Sequence, residues 1–175
     1  MKIRAFEEKD LLGLSQLFLL TKMVSWWWLE SAKWQLSDFE KLTQGEIILV
    51  AENNEQYLGF ASIYLQENFL HHLFITPNFQ SQGVGSALLQ ASERLFTGTG
   101  YLKCLSNNKH ALSFYLRHDW KVITTGESED GDYVLMSKAS TITLYSRMRY
   151  PFLNYSYYFI WLFNPYSVLI SFELF

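Results

Sequence analysis

The chain has 175 residues, of which 18% are charged and 18% aromatic, with fourteen Lys+Arg against seventeen Asp+Glu. At roughly 100–200 residues per domain this allows one domain with a short appendage, and so aromatic a composition excludes intrinsic disorder. The net charge of −3 argues against a general nucleic-acid binder, and the lone Cys104 can form neither an intramolecular disulfide nor a zinc cluster.

The N-terminus turns acidic at Glu7 and Glu8 without the apolar run of a signal peptide, so a cytoplasmic chain is expected. Residues 2–5 suit a short first strand. Leu11, Leu14, Leu17 and Phe18, three and four apart, mark one face of a helix over 6–20. A second helix is expected from Trp26-Trp27-Trp28 to Leu42, closed by Thr43-Gln44-Gly45. The strand-forming runs 46–51 and 57–65 flank Glu52-Asn53-Asn54-Glu55, which reads as a hairpin turn. A third run, 70–76, stops at Pro77, which has no N–H for a ladder. The period then lengthens, with Val84, Ala87, Leu88, Ala91 and Leu95 on one helix face ending before Gly98. A short strand at 101–105 leads to Asn108, an N-cap candidate, and to a helix presenting Ala111, Phe114, Tyr115 and His118 together. Two last strands, 121–125 and 133–136, enclose the acidic turn 127–131. The order β-α-α-β-β-β-α-β-α-β-β predicts a mixed α/β (α+β) fold, a mostly antiparallel sheet flanked by helices.

The working domain is expected to be 1–138. Residues 139–175 hold twelve of the thirty-one aromatics, and 150–172 carries no charge. Those 23 residues reach a bilayer-spanning length, and Arg147 and Arg149 suit a cytoplasmic flank. Pro151, Pro165, Asn154, Asn164 and the many tyrosines weigh against a span. Packing on the core or on a second copy, as a homodimer, is preferred to membrane contact.

The most informative stretch joins a strand to a helix through Gln80-Ser81-Gln82-Gly83-Val84-Gly85-Ser86. The first amides of a helix lack intrahelical partners, and the dipole there favours negative charge. Glycine at 83 and 85 keeps side chains out of the way of a bulky phosphate, which makes an anion cradle for a pyrophosphate. A dinucleotide fingerprint would need glycine where Leu88 stands, and a P-loop would need lysine where Ser86 stands.

These residues resemble the GNAT N-acetyltransferases. Their acetyl-CoA motif, Gln/Arg-x-x-Gly-x-Gly/Ala after an apolar strand ending in proline, corresponds to Gln80–Gly85 after 73–77. Their later motif, Asn-x-x-Ala-x-x-Phe-Tyr-x-x-x-Gly-Phe, corresponds to 108–120, with Asp119-Trp120 replacing Gly-Phe. The resemblance implies the GNAT acyltransferase fold over 1–138. It also implies transfer of the acetyl group of acetyl-CoA to a small-molecule or peptide amine by direct attack in a ternary complex, with no metal.

The resemblance carries roles residue by residue. Gln80 and the amides of Gln82, Gly83, Val84, Gly85 and Ser86 would hold the cofactor's pyrophosphate. The strand at Phe74 and Ile75 would splay from its neighbour and pair through its main chain with pantetheine, an amide there stabilising an oxyanion. Asn108 would touch the cofactor, cap its helix, or both. Tyr115 would protonate the departing thiolate, as a phenol with a pKa of about 10 can at neutral pH; its alternative is a packed aromatic. Many members place a glutamate base on the strand before the cradle, where this chain has His71 and His72. Some arylalkylamine acetyltransferases of the family carry histidine at the position matching His71. Alternation would set His71 with Leu73 and Ile75, and His72 opposite. A structural histidine is the competing reading for His71, and Glu67 or water the competing base.

Trp26, Trp27 and Trp28 fall where the family builds its acceptor pocket. Helical neighbours point about 100° apart, so at least one would be exposed or in a pocket wall, offering a cation–π contact to an ammonium. Packing or a dimer contact is the equal alternative. Cys104, with no base beside it in sequence, reads as a buried small residue rather than an acetyl-carrying nucleophile. A reading from a different class is a degenerate acyl-CoA-binding sensor or docking module, favoured by the missing strand carboxylate and opposed by Tyr115.

Overall fold

Seven strands make one sheet in the order β1-β2-β3-β4-β5-β7-β6: β1 (Lys2–Ala5), β2 (Ile47–Asn53), β3 (Gln56–Tyr64), β4 (Phe69–Ile75), β5 (Gly100–Leu105), β6 (Lys121–Gly126) and β7 (Tyr133–Lys138). All neighbours are antiparallel except β4 and β5, which run parallel because α3 (Val84–Glu93) crosses between them. The remaining helices are α1 (Leu11–Ser25), α2 (Ser37–Leu42) and α4 (Lys109–Arg117). This computed structural model describes residues 1–25, 34–128 and 130–140; the expectations for Trp26, Trp27, Trp28 and the tail from 141 onward lie outside them. Among the described residues no helix is long and apolar enough to cross a membrane.

Strand alternation splits the core in two. Leu70, Leu73 and Ile75 of β4 pack with Val84, Leu88 and Leu89 of α3 and with Ala111 and Tyr115 of α4. On the opposite face Phe60 and Phe74 stack with centroids 5.4 Å apart, and Phe18 of α1 and Phe39 of α2 close over them. Each such side chain contributes about 1.5–3 kcal/mol on burial.

The first helix departs from its expected bounds. A 3-10 turn at Glu8–Asp10 precedes it, and it runs to Ser25 rather than stopping near 20, since no glycine or proline follows Gly13 to break it. Gly13 is there for room: a Cβ would stand 2.2 Å from Tyr57 Cε2. An ion network fastens the start of this layer to the sheet. Arg4 donates to both oxygens of the fully buried Asp10 (2.6 and 2.8 Å) and to Glu52 (2.7 Å), and Tyr57 donates to Asp10 (2.9 Å). The Arg4 guanidinium holds the Asp10 carboxyl well below the usual carboxylate range.

Candidate active site

The site begins where the sheet forks. β4 pairs with β3 along its whole length to Ile75, but with β5 only at Phe69↔Tyr101 and Leu70↔Leu102. Beyond Leu70 the two parallel strands part, as expected for the strand carrying Phe74 and Ile75. Ile75 faces the α3–α4 side and Phe74 the other, so the strand's open edge lies between two differently built faces.

A cleft of about 320 Å³ opens on the α3–α4 side beside that edge, lined by Ile75, by Gln80, Ser81, Gly83, Gly85 and Ser86, and by side chains of α4. Gly83 caps α3 with φ +85°, a left-handed conformation that glycine adopts without strain. A Cβ on Gly85 would meet Phe114 at 3.5 Å and Ile75 at 3.7 Å, which fills the cleft's floor. Val84 and Gln82 do not line the cleft: the Val84 side chain is buried in the core, and the Gln82 side chain donates to the Asn78 carbonyl (2.9 Å).

The opposite wall is basic. His110, Arg117 and His118 of α4 and its C-cap line the cleft, and among the described residues no carboxylate does. His118 ties the walls together, its Nδ1 donating to the Phe114 carbonyl (2.8 Å) and its Nε2 lying 2.9 Å from Ser86 Oγ. The first amides of α3, facing the Arg117 guanidinium and two imidazoles, fit a polyanion with a pyrophosphate. Asn108 does cap α4, its Oδ1 accepting from the Ala111 amide at 2.9 Å.

Tyr115 is 4% exposed, packed in the core between the cleft-lining Phe114 (ring centroids 5.5 Å apart) and Trp120 (6.1 Å). Burial, with the neighbouring Cys104 sulfur, pushes its phenol well above the ordinary value, so it is a protonated donor across the physiological range. Burial likewise pushes the Cys104 thiol up to about 12, which keeps it from being a thiolate nucleophile.

His71 is not where simple alternation puts it. The ladder between β3 and β4 shifts register between Ser62 and Ile63, pairing Ser62 with His72 but Ile63 with Leu70. His71 is the extra residue of that β-bulge, and the bulge turns it away from Leu73 and Ile75. Its ring instead stacks on Tyr64 (6.0 Å, 9° between planes), meets Phe69 edge-on at 5.0 Å, and pairs through Nδ1 with Glu46 Oε1. His72 is on the same side, its ring centroid 6.4 Å from that of His71, packed by Phe18 and Phe74 and held by Ser62 Oγ (2.8 Å). Glu67, the competing base, stands exposed on a 3-10 turn at Leu65–Glu67.

Residues 44–122 match the family model described as an acetyltransferase (GNAT) domain. The chain carries a GNAT acetyltransferase domain. A relative from Bacillus subtilis, the uncharacterized N-acetyltransferase YhfO, is 28% identical over 88 residues; the match covers 43% of this chain and 58% of that protein's length. A GCN5-related N-acetyltransferase from Rhodopseudomonas palustris shares the fold at TM-score 0.65 and 17% identity, over 79% of this chain and 94% of that one. YncA from Salmonella typhimurium, a structure containing acetyl-CoA, superposes at TM-score 0.57 and 16% identity, over 79% and 92%.

Within this GNAT domain, the sequence pattern had missed four groups. His110, Arg117 and His118 share a face of α4 at the spacing 0, 7 and 8, a signal legible in the periodicity once a basic wall is sought. Glu46 had no local signal at all, since its partner lies 25 residues on and two strands away. Among the described residues no cluster of three His, Cys, Asp or Glu is arranged to hold a metal.

Proposed function

We propose that this chain is an N-acetyltransferase that moves the acetyl group of acetyl-CoA to a primary amine by direct attack in a ternary complex. The observation that carries the reading is the fork itself: the β4 edge from His71 to Ile75, unpaired with β5, runs into a glycine-lined cleft with Arg117 in its wall at the start of α3. When bound there, acetyl-CoA supplies the activated thioester. The amides from Gln82 to Ser86 bind its pyrophosphate with Gln80, Arg117 and His110 alongside, and Asn108 contacts the cofactor. Main-chain groups at Phe74 and Ile75 align pantetheine and hold the carbonyl oxygen as charge develops on it.

Proton handling divides between two residues. His71, the first β4 residue past the paired segment, accepts a proton from the incoming ammonium at a ring nitrogen. Tyr115, neutral by virtue of its burial, donates to the sulfur as it leaves. Trp26, Trp27 and Trp28 are assigned to the acceptor pocket, which favours an aromatic or apolar amine. We read 1–138 as the catalytic unit, the tail as a packing or dimer element, and the compartment as the reducing cytoplasm, where a single free thiol is ordinary.

Incubating the full chain with acetyl-CoA and benzylamine, an aminoglycoside or a peptide with a free N-terminus tests this. Free thiol and acetylated amine should appear in equal amounts. Calorimetric binding of acetyl-CoA with no thiol released on any amine would instead favour the sensor reading.

A further inference from the structure

We propose that Glu46 is a positioning residue for His71, the two forming a carboxylate–imidazole pair that prepares the amine for attack; this rests on the acetyl-transfer reading above. The Glu46 side chain is 3% exposed, with Oε1 on His71 Nδ1. Its second oxygen, Oε2, is buried with no hydrogen-bond partner among the described residues. A carboxylate with an unpaired buried oxygen is a costly way to pack the end of a strand, and glutamine or leucine would fill the space more cheaply. A carboxyl group kept at such a position therefore calls for a use.

The geometry specifies that use. A carboxylate only accepts hydrogen bonds, so Nδ1 of His71 must carry the hydrogen, and in the neutral ring Nε2 is the basic atom. Tyr64 on one face and Phe69 edge-on fix the ring plane. Among the described residues, the titratable groups seen against the ring are Glu46 from the entrance of β2, Tyr64 from β3 and His72 from β4. His72 is engaged by Ser62 through Nδ1. Glu46 is thus the one carboxylate among these facing groups able to offset an imidazolium at position 71.

In the reaction the ammonium yields two protons overall. One passes to Nε2 of His71 and on to solvent, leaving a neutral nitrogen whose lone pair bonds to the thioester carbon. As the C–S bond breaks, the departing sulfur takes its proton from Tyr115, which recovers one from the new amide nitrogen. Glu46 touches none of the reacting atoms; it fixes the tautomer and faces the transient positive charge.

Glu46→Gln in the full chain tests the pair, because the amide keeps the size and loses the charge. Long-range 1H–15N spectra of histidine-labelled wild type should show His71 protonated at Nδ1 and bare at Nε2, and the variant should lose that fixed tautomer. With benzylamine, which arrives protonated, kcat should fall by about tenfold or more, within the usual general-base range. With aniline, which arrives neutral, it should change less than about threefold, and KM for acetyl-CoA should hold. A wild-type Nε2–H tautomer overturns the proposal, as do equal losses on the two amines or an unaltered rate. If the wild type binds acetyl-CoA yet acetylates nothing, the transfer reading fails, while the tautomer still decides whether Glu46 positions His71.

Discussion

The two faces of the sheet are built from different materials. Towards α3 and α4 the β4 side chains are aliphatic and, apart from the buried Tyr115 phenol, the polar groups of the site are met at the rim, where His110, Arg117 and His118 face the glycine turn. Towards α1 and α2 the packing is aromatic and polar groups are buried within it: His72 on Ser62, His71 on Glu46, Asp10 on Arg4. A rim of exposed amides and cations can bind a large anion without desolvating any charge deeply. Buried, oriented hydrogen-bonding groups suit proton transfer instead, where position and tautomer matter more than net charge. The fork of β4 from β5 is the place where one face hands over to the other.

Substitutions on each face should therefore fail in different ways. The largest effect is expected from Gly85→Glu, which adds a side chain and a negative charge to the floor between Phe114 and Ile75. Calorimetry should detect no acetyl-CoA binding, while far-UV circular dichroism stays that of the wild type. Undiminished affinity would remove the rim from the account.

On the other face, Asp10→Asn breaks a buried charge pair and should cost about 3 kcal/mol in urea unfolding at neutral pH. The folded-state pKa of Asp10 is depressed, so its stabilisation is present above the unfolded value near 4 and is lost as the pH falls below it. The gap between wild type and variant should accordingly close towards pH 2. A gap that stays constant would mean that shape, and not charge, anchors α1.

Tyr115→Phe keeps the ring and removes the hydroxyl. A drop in kcat of about ten- to a thousandfold is expected, with acetyl-CoA affinity almost unaltered. A full-rate variant with chemistry rate-limiting would leave Tyr115 as packing for Trp120 and the core.

Much of this was readable from residue order. The strands and helices follow from period, from Pro77 ending β4 and from Asn108 capping α4, and the open turn at the start of α3 was legible in Gly83 and Gly85 because a glycine's effect at a helix start is local. His71 was misplaced for a physical reason. A β-bulge is set by how two strands pair, and nothing in Phe69-Leu70-His71-His72-Leu73 announces where the extra residue falls. Glu46 was invisible for the same kind of reason, since only the strand order β2-β3-β4 brings it across to His71. Local chemistry reads directly from sequence; chemistry assembled across strands requires the register.

The most direct test of the division between the faces is a single-turnover experiment on His71→Gln preloaded with saturating acetyl-CoA, timing acetyl transfer to a strongly basic amine after rapid mixing. His72→Gln serves as the neighbouring control and should lose stability more than rate. The His71 variant should bind acetyl-CoA within about twofold of wild type and transfer its acetyl group about tenfold or more slowly, in the usual range for a lost general base. Transfer at the wild-type rate, or slowing that follows from lost acetyl-CoA affinity, would contradict it.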